Sequence, residues 1–142
     1  MVDSKREAAL RDAIEAFFFA YRAFTAGPDR ILGERGLGRV HHRILYFVGR
    51  SPGIAINALL DTLGVTKQAL NAPLRQLVEM KLVSVRTAAH DRRCRELRLT
   101  REGERLEAQL TGTQMAHLGA TFAAAGKGAE IGWRAVMRRM PG

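Results

Sequence analysis

Four side chains that could read a nucleic acid recur at helical spacing: Lys67, Gln68, Asn71 and Arg75. Leu70, Leu74, Leu77 and Val78 fall on the opposite face, so the stretch reads as an amphipathic helix from Lys67 to about Lys81, with Thr66 as its N-cap. Gln and Asn can pair bidentately with adenine and Arg with guanine, whereas Lys neutralises phosphate. Gln68 and Asn71 are therefore expected near base edges, with Lys67 and Arg75 nearer phosphates. A merely solvated helix face is the alternative. Pro73 interrupts the stretch, since it lacks an amide donor and crowds the carbonyl of Ala69, at a usual cost of about 3 kcal/mol. Either the helix bends there or it ends early; Leu74, Leu77 and Val78 continue the period and favour the bend.

The neighbours of this stretch give it a context. Asn57 to Leu63 forms a second short amphipathic segment, with Asn57 as candidate N-cap and Gly64 as the stop. Helix, glycine turn and polar-faced helix make a helix-turn-helix pattern. VSVRT (83–87) and RELRLT (95–100) then alternate, which predicts Val83, Val85, Thr87, Leu97 and Leu99 inward and Ser84, Arg86, Glu96 and Arg98 outward. Between them lies the polar tip AAHDRRC. Arginines occupy 86, 92, 93, 95, 98 and 101, against only Asp91 and Glu96 in the same sixteen residues. Exposed charges on a solvated hairpin would be one explanation. This arginine density beside a helix-turn-helix instead favours a wing that enters a minor groove, with Arg93 the leading candidate for insertion.

Three features together, namely the turn LGVTKQAL, the tip Asp91-Arg92-Arg93 and the L-x-L-T-x-x-G run from Leu97 to Gly103, resemble the MarR family of winged helix-turn-helix regulators over about residues 38–103. The resemblance implies a mainly α fold with a small β-hairpin wing, flanked by N- and C-terminal dimerisation helices (about 4–27 and 101–142). It implies a homodimer on double-stranded DNA, touched by Thr66, Lys67, Gln68, Asn71 and Arg75 and by the wing residues Arg86, Asp91, Arg92, Arg93 and Arg95. Asp91 would brace a wing arginine by an ion pair. Repression is implied more often than activation. Relief would come from a small, often aromatic or lipophilic ligand between the DNA lobes and the dimer layer, with Phe17, Phe18, Phe19, His41, His42 and Tyr46 as candidate pocket neighbours. No cofactor is implied.

Other chemistry is sparse. Cys94 lies among Arg92, Arg93 and Arg95, a setting expected to lower a thiol pKa, so an oxidant switch is weighed against an incidental wing residue and the latter is preferred. His41 and His42, being adjacent, point to different helical faces, and no His/Cys/Asp spacing matches a zinc site. No nucleophile elbow, phosphate-binding glycine loop or facing carboxylate pair is present, so enzymatic activity is not expected.

These residues need elements to hold them. Ser4-Lys5-Arg6-Glu7 has capping-box spacing and predicts a helix from Lys5, with Leu10, Ile14, Phe17, Phe18, Tyr21 and Phe24 at helical spacing until Gly27-Pro28 stops it. Its apolar face is wide enough to meet a second subunit. DRILGERG (29–36) reads as a loop or short helical turn. A second helix is expected from about Gly38 to Gly49, with Val40, Ile44, Leu45 and Val48 inward, and Ile54–Ile56 is expected to add a short strand beside the wing. Thr100 caps a long helix from Arg101 to about Leu118 or beyond, weakened by Gly112 and Gly119. A last helix, about Ala129 to Met140, aligns Trp133, Val136, Met137 and Met140.

At 142 residues the chain is most economically one domain, and 46% apolar content argues against disorder. A net charge of +9 points to a polyanion as partner. No apolar run approaches the ~20 residues of a membrane span and no signal peptide is visible, so a cytoplasmic location is expected. A single cysteine excludes an intramolecular disulfide. Two rival functions remain open: a nonspecific architectural DNA binder, separable by competition with unrelated DNA, and a winged helix used for protein–protein contact, which would not need this arginine density.

Overall fold

The structure, a computed structural model, describes residues 3–142. In chain order the elements are α1 (Ser4–Gly33), α2 (Arg39–Arg50), β1 (Ile54–Ala55), α3 (Ile56–Leu63), α4 (Lys67–Glu79), β2 (Val83–Thr87), β3 (Arg95–Leu99), α5 (Arg101–Ala125) and α6 (Ala129–Arg139). The fold is mainly helical with one small sheet, as expected. Two compact units are present: residues 28–112, which hold the helix-turn-helix and the wing, and residues up to 27 together with 113–142.

The lobe formed by 28–112 owns the hydrophobic core. Ile44, Leu45, Val48, Leu59, Leu70, Leu77, Leu82, Val83, Leu97 and Leu110 are almost wholly buried, with Leu32 joining from the end of α1. These positions span the helices and the sheet of the lobe, so the core locks the two helices of the motif and the base of the wing into one body. The sheet runs β1-β3-β2, antiparallel throughout, with Ile54 opposite Leu97 and Val85 opposite Leu97 on the other side. The short strand expected at Ile54 is thus real and closes one edge of the wing.

Local sequence chemistry explains most boundaries. Gly64 ends α3 in the left-handed region at φ 65°, a conformation that costs a side-chain-bearing residue energy. The Ala69 amide donates to Thr66 Oγ1 at 3.1 Å, so Thr66 caps α4 as expected. The Gly103 amide donates to Thr100 Oγ1 at 3.0 Å, the same device at the start of α5.

Several expectations need correction. The first helix does not stop at Gly27-Pro28 but runs through Pro28 to Gly33, so most of the segment read as a loop or short helical turn continues α1. Pro28 itself and Leu32 are buried, and burial of a leucine, about 1.5–3 kcal/mol, offsets much of the penalty of an interior proline. Asp3, not Ser4, caps this helix: the Arg6 amide donates to Asp3 Oδ1 at 2.7 Å. Ala55, not Asn57, occupies the N-cap of α3, because the chain turns into helix directly from β1. On β2 only Val83 is buried; Val85 and Thr87 are exposed, because β2 is an edge strand, whereas Leu97, opposite Val85 on the central strand, is wholly buried. The helix through Pro73 continues without ending.

The second unit has a different character. Within it Phe24 approaches His117 with ring centres 6.4 Å apart, and Phe122 meets Trp133 edge-on at 5.3 Å. Around these contacts Leu10, Ile14, Phe17, Phe18, Phe19, Tyr21, Met115, Ile131, Trp133, Val136 and Met140 are exposed, and α6 buries no residue within the chain. Among the described residues no helix is long and apolar enough to cross a membrane.

Candidate nucleic-acid interface

The polar face of α4 is presented to solvent as its spacing demands. Lys67, Gln68, Asn71 and Arg75 are all exposed, while Leu70, Leu74 and Leu77 are buried beneath them. Thr66 is exposed at the helix start, its hydroxyl committed to the cap. The first two turns therefore offer an amide pair and a cation on a scaffold fixed from below. That is the arrangement direct readout of a major groove needs.

The wing is built around Asp91. Its Oδ1 accepts from the Arg93 backbone amide at 2.9 Å and from Arg93 Nε at 3.4 Å, and its carbonyl accepts from the Cys94 amide at 3.0 Å. The Ala88 amide donates to the Cys94 carbonyl at 2.8 Å and closes the tip. The Arg93 amide, followed by its side chain, holds the Asp91 carboxyl below the usual aspartate range. The brace expected for a wing arginine is thus present and local to the tip. Arg93 nonetheless keeps 92% of its side chain exposed, so the guanidinium is aimed but not consumed. Arg86, Arg92, Arg95 and Arg98 are exposed along the same ribbon, with Arg86 paired in register to Glu96 and Ser84 to Arg98.

Cys94 behaves opposite to expectation. The Asp91 charge, followed by burial and by the thiol's own hydrogen bond to Asp91, pushes the thiol pKa up; Arg93 opposes this and loses. The thiol donates to Asp91 Oδ2 at 3.6 Å. The nearest charge decides, and it is a carboxylate rather than a flanking arginine.

The candidate effector residues fall in both units. Phe17 and Phe18 are exposed on α1 with Phe19, and Arg22 lies 5.9 Å from the ring centres of Phe18 and Phe19. His41 and His42 are buried on α2, and Tyr46 is half-buried one turn beyond His42, its ring edge-on to Phe47. Both histidines are engaged within the lobe. His41 Nδ1 accepts from the Gly38 amide at 2.9 Å, so its Nε2 carries the proton and donates to Gln76 Oε1 at 2.8 Å. His42 Nε2 lies 3.2 Å from Thr111 Oγ1, and burial holds its pKa below the usual histidine value. Gln76, half-buried on α4, has no local signal in the sequence beyond its polar type between Leu74 and Leu77. Among the described residues no three His, Cys, Asp or Glu side chains gather as a metal site would require.

Comparison with known proteins bears on the same features. A sequence profile described as MarR family matches residues 35–93, which spans α2 to the wing tip. The HTH-type transcriptional regulator PetP of Rhodobacter capsulatus is 47% identical over 131 residues, covering 92% of this chain and 79% of PetP. The chain belongs to the MarR family. As a member it is a DNA-binding transcriptional regulator, with α3, α4 and the β2–β3 hairpin forming its winged helix-turn-helix. Two solved structures share its fold. NadR in complex with 4-hydroxyphenylacetate superposes with a TM-score of 0.73 at 19% identity, covering 87% of each chain. A mutant of Staphylococcus aureus MepR bound to an oligodeoxyribonucleotide gives 0.62 at 18% identity, covering 90% of this chain and 94% of that one.

Proposed function

We propose that this MarR-family chain acts as a homodimeric repressor that grips a pseudo-palindromic operator and lets go when a small aromatic or lipophilic ligand binds. The observation that carries the DNA half is the pairing of an exposed polar helix face with a braced, arginine-rich wing. Lys67, Gln68, Asn71 and Arg75 supply readout and positioning in a major groove, and Arg93, held by Asp91, supplies a cation for the adjacent minor groove. MepR, of the same fold, carries an oligodeoxyribonucleotide in its solved structure.

The dimer rests on the apolar side chains that residues 4–27 and 113–142 leave uncovered. Three consecutive phenylalanines, Trp133 and Met140 exceed what a monomer ordinarily exposes together, and a second copy is the partner of matching chemistry. Ligand response is supported by the fold shared with NadR, whose structure contains 4-hydroxyphenylacetate. The ligand would act by preferring a conformation whose recognition helices misfit the operator, shifting the population away from DNA binding. No step of this requires catalysis, a metal or a cofactor. The place of action is the compartment that holds the DNA, the cytoplasm of a bacterial cell.

Selection of bound fragments from random DNA tests the reading. An inverted repeat with half-sites about 10–10.5 bp apart, or a multiple of that, is expected, because both recognition helices must face the same side of the duplex. Recovery of fragments sharing only composition would instead mark a nonspecific binder, and sedimentation as a monomer at micromolar concentration would remove the dimer.

A further inference from the structure

Three hydrogen bonds form a closed chain between the turn before α2 and the recognition helix. The Gly38 amide donates to His41 Nδ1 at 2.9 Å, His41 Nε2 donates to Gln76 Oε1 at 2.8 Å, and Gln76 Nε2 donates to the Gly36 carbonyl at 3.3 Å. The chain starts and ends in one turn, two residues apart. Every donor and acceptor is determined, because the Gly38 amide can only donate and so sets the tautomer of the imidazole. His41 is 8% exposed, and Gln76 is half-buried. One imidazole thus caps α2 through Nδ1 and ties it to α4 through Nε2.

Gln76 follows Arg75 directly on α4, and its bond to His41 adds a directional constraint to the apolar packing beneath the helix. Leu70, Leu74 and Leu77 hold α4 on the lobe by apolar contact, which is not directional in itself. Hydrogen bonds are directional. Pro73 sharpens the need. It lacks the amide that would bond the Ala69 carbonyl, so the helix ladder is missing its 69–73 rung. Thr66 anchors α4 before that gap. Gln76 anchors it after.

We propose that His41 is a positioning residue for base readout: through Gln76 it sets the orientation of the recognition helix beyond Pro73 and keeps Arg75 in register with Asn71. The inference rests on the reading of α4 as the element that enters the major groove. It predicts that loss of the His41–Gln76 bond lowers discrimination between operators while leaving the protein's charge, and hence its general attraction to DNA, intact.

The geometry allows the two bonds of His41 to be separated. His41→Asn keeps an acceptor where Nδ1 meets the Gly38 amide but is too short to reach Gln76. His41→Gln reaches Gln76 with an amide donor. Gln76→Met removes the other partner at similar volume. Each full-length variant is titrated against the selected operator and single-mismatch versions at several salt concentrations, after circular dichroism melting has shown that it folds. His41→Asn and Gln76→Met are expected to lower the matched-to-mismatched affinity ratio about tenfold, within the range of coupled neighbours. Their salt slope should equal that of the parent, because no cation is lost. The double variant should be no worse than either single one, and His41→Gln should restore most of the ratio. A role in packing alone would weaken matched and mismatched sites by one common factor, and an unchanged ratio overturns the proposal. If His41→Asn does not fold, Gln76→Met decides by the same ratio. A parent protein without sequence preference would refute the regulator reading itself, whereas a discriminating parent with equally discriminating variants would refute only the role of His41.

Discussion

Replacing Gly103 by alanine should damage this protein far more than its position in the first turn of a helix suggests. A Cβ at Gly103 would be driven into the Leu82 carbonyl oxygen, and would also lie 2.9 Å from the carbonyl carbon. That carbonyl cannot simply turn aside. It accepts from the Thr100 amide at 3.0 Å, and Thr100 Oγ1 donates to the neighbouring Lys81 carbonyl at 2.6 Å. Leu82 itself is 2% exposed and leads directly into β2. Relief of such a clash in a packed site costs about 1–3 kcal/mol. Loss of the Thr100–Leu82 bond with its carbonyl left under-satisfied adds about 1–3 kcal/mol. The better helix propensity of alanine returns at most ~1 kcal/mol. The net destabilisation is about 2–4 kcal/mol once the two costs overlap in part. At this chain length that corresponds to a fall in Tm of roughly 5–15 °C. Thermal unfolding followed by circular dichroism measures it, with Gly112→Ala as the control, since a Cβ there meets open space. A Gly103→Ala protein melting within about 2 °C of the parent would refute the close approach of α5 to the turn that follows the recognition helix.

Three further perturbations follow from the local geometry. Thr66→Ala removes the cap on the Ala69 amide, so stability should drop by about 0.5–2 kcal/mol and operator affinity with it; chemical denaturation with an unshifted midpoint would contradict the cap. Cys94→Ser should bind DNA and respond to peroxide as the parent does, because Asp91 holds the thiol protonated at neutral pH; a peroxide-induced loss of binding abolished by the substitution would make the residue a switch. His42 is held neutral by burial, its folded pKa lying below the ordinary 6.5. The unfolded chain therefore binds the extra proton first, and stability should fall as pH drops below about 6.5. His42→Asn should flatten that part of the pH profile, and a profile identical to the parent's would show that His42 does not contribute.

The motif is legible in the sequence because its signals are local. Gly64, Thr66 and the leucines of α4 each act within a turn or two of chain, and the structure places Lys67, Gln68, Asn71 and Arg75 on the exposed face that this spacing requires. The Asp91–Arg93 brace is two residues long and equally local, although family resemblance and not spacing leads to it. What the sequence hides depends on tertiary context. Pro28 marks a helix end by local rules, but burial of Leu32 on the lobe carries the helix past it. Val85 alternates correctly, yet β2 is an edge strand and only its partner Leu97, on the central strand, is buried. Neighbours in sequence suggest an acidic thiol at Cys94, whereas the carboxylate that governs it folds back from three residues away. Gln76 joins His41 across thirty-five residues, a pairing that no periodicity in either helix encodes.

If the wing supplies positioning charge and α4 supplies sequence readout, paired salt titrations of Arg93→Ala and Asn71→Ala separate the two roles. Both residues are exposed, so neither substitution should disturb the fold. On matched and single-mismatch operators, Arg93→Ala should weaken binding to all sequences and reduce the salt slope by up to ~0.9 for each phosphate-neutralising charge lost, with some loss of preference for A·T-rich flanks. Asn71→Ala should leave the slope unchanged and reduce discrimination at one base pair per half-site by about 1–3 kcal/mol. Identical behaviour of the two variants, or normal binding by Arg93→Ala, would contradict the account and leave the basic ribbon as surface charge alone.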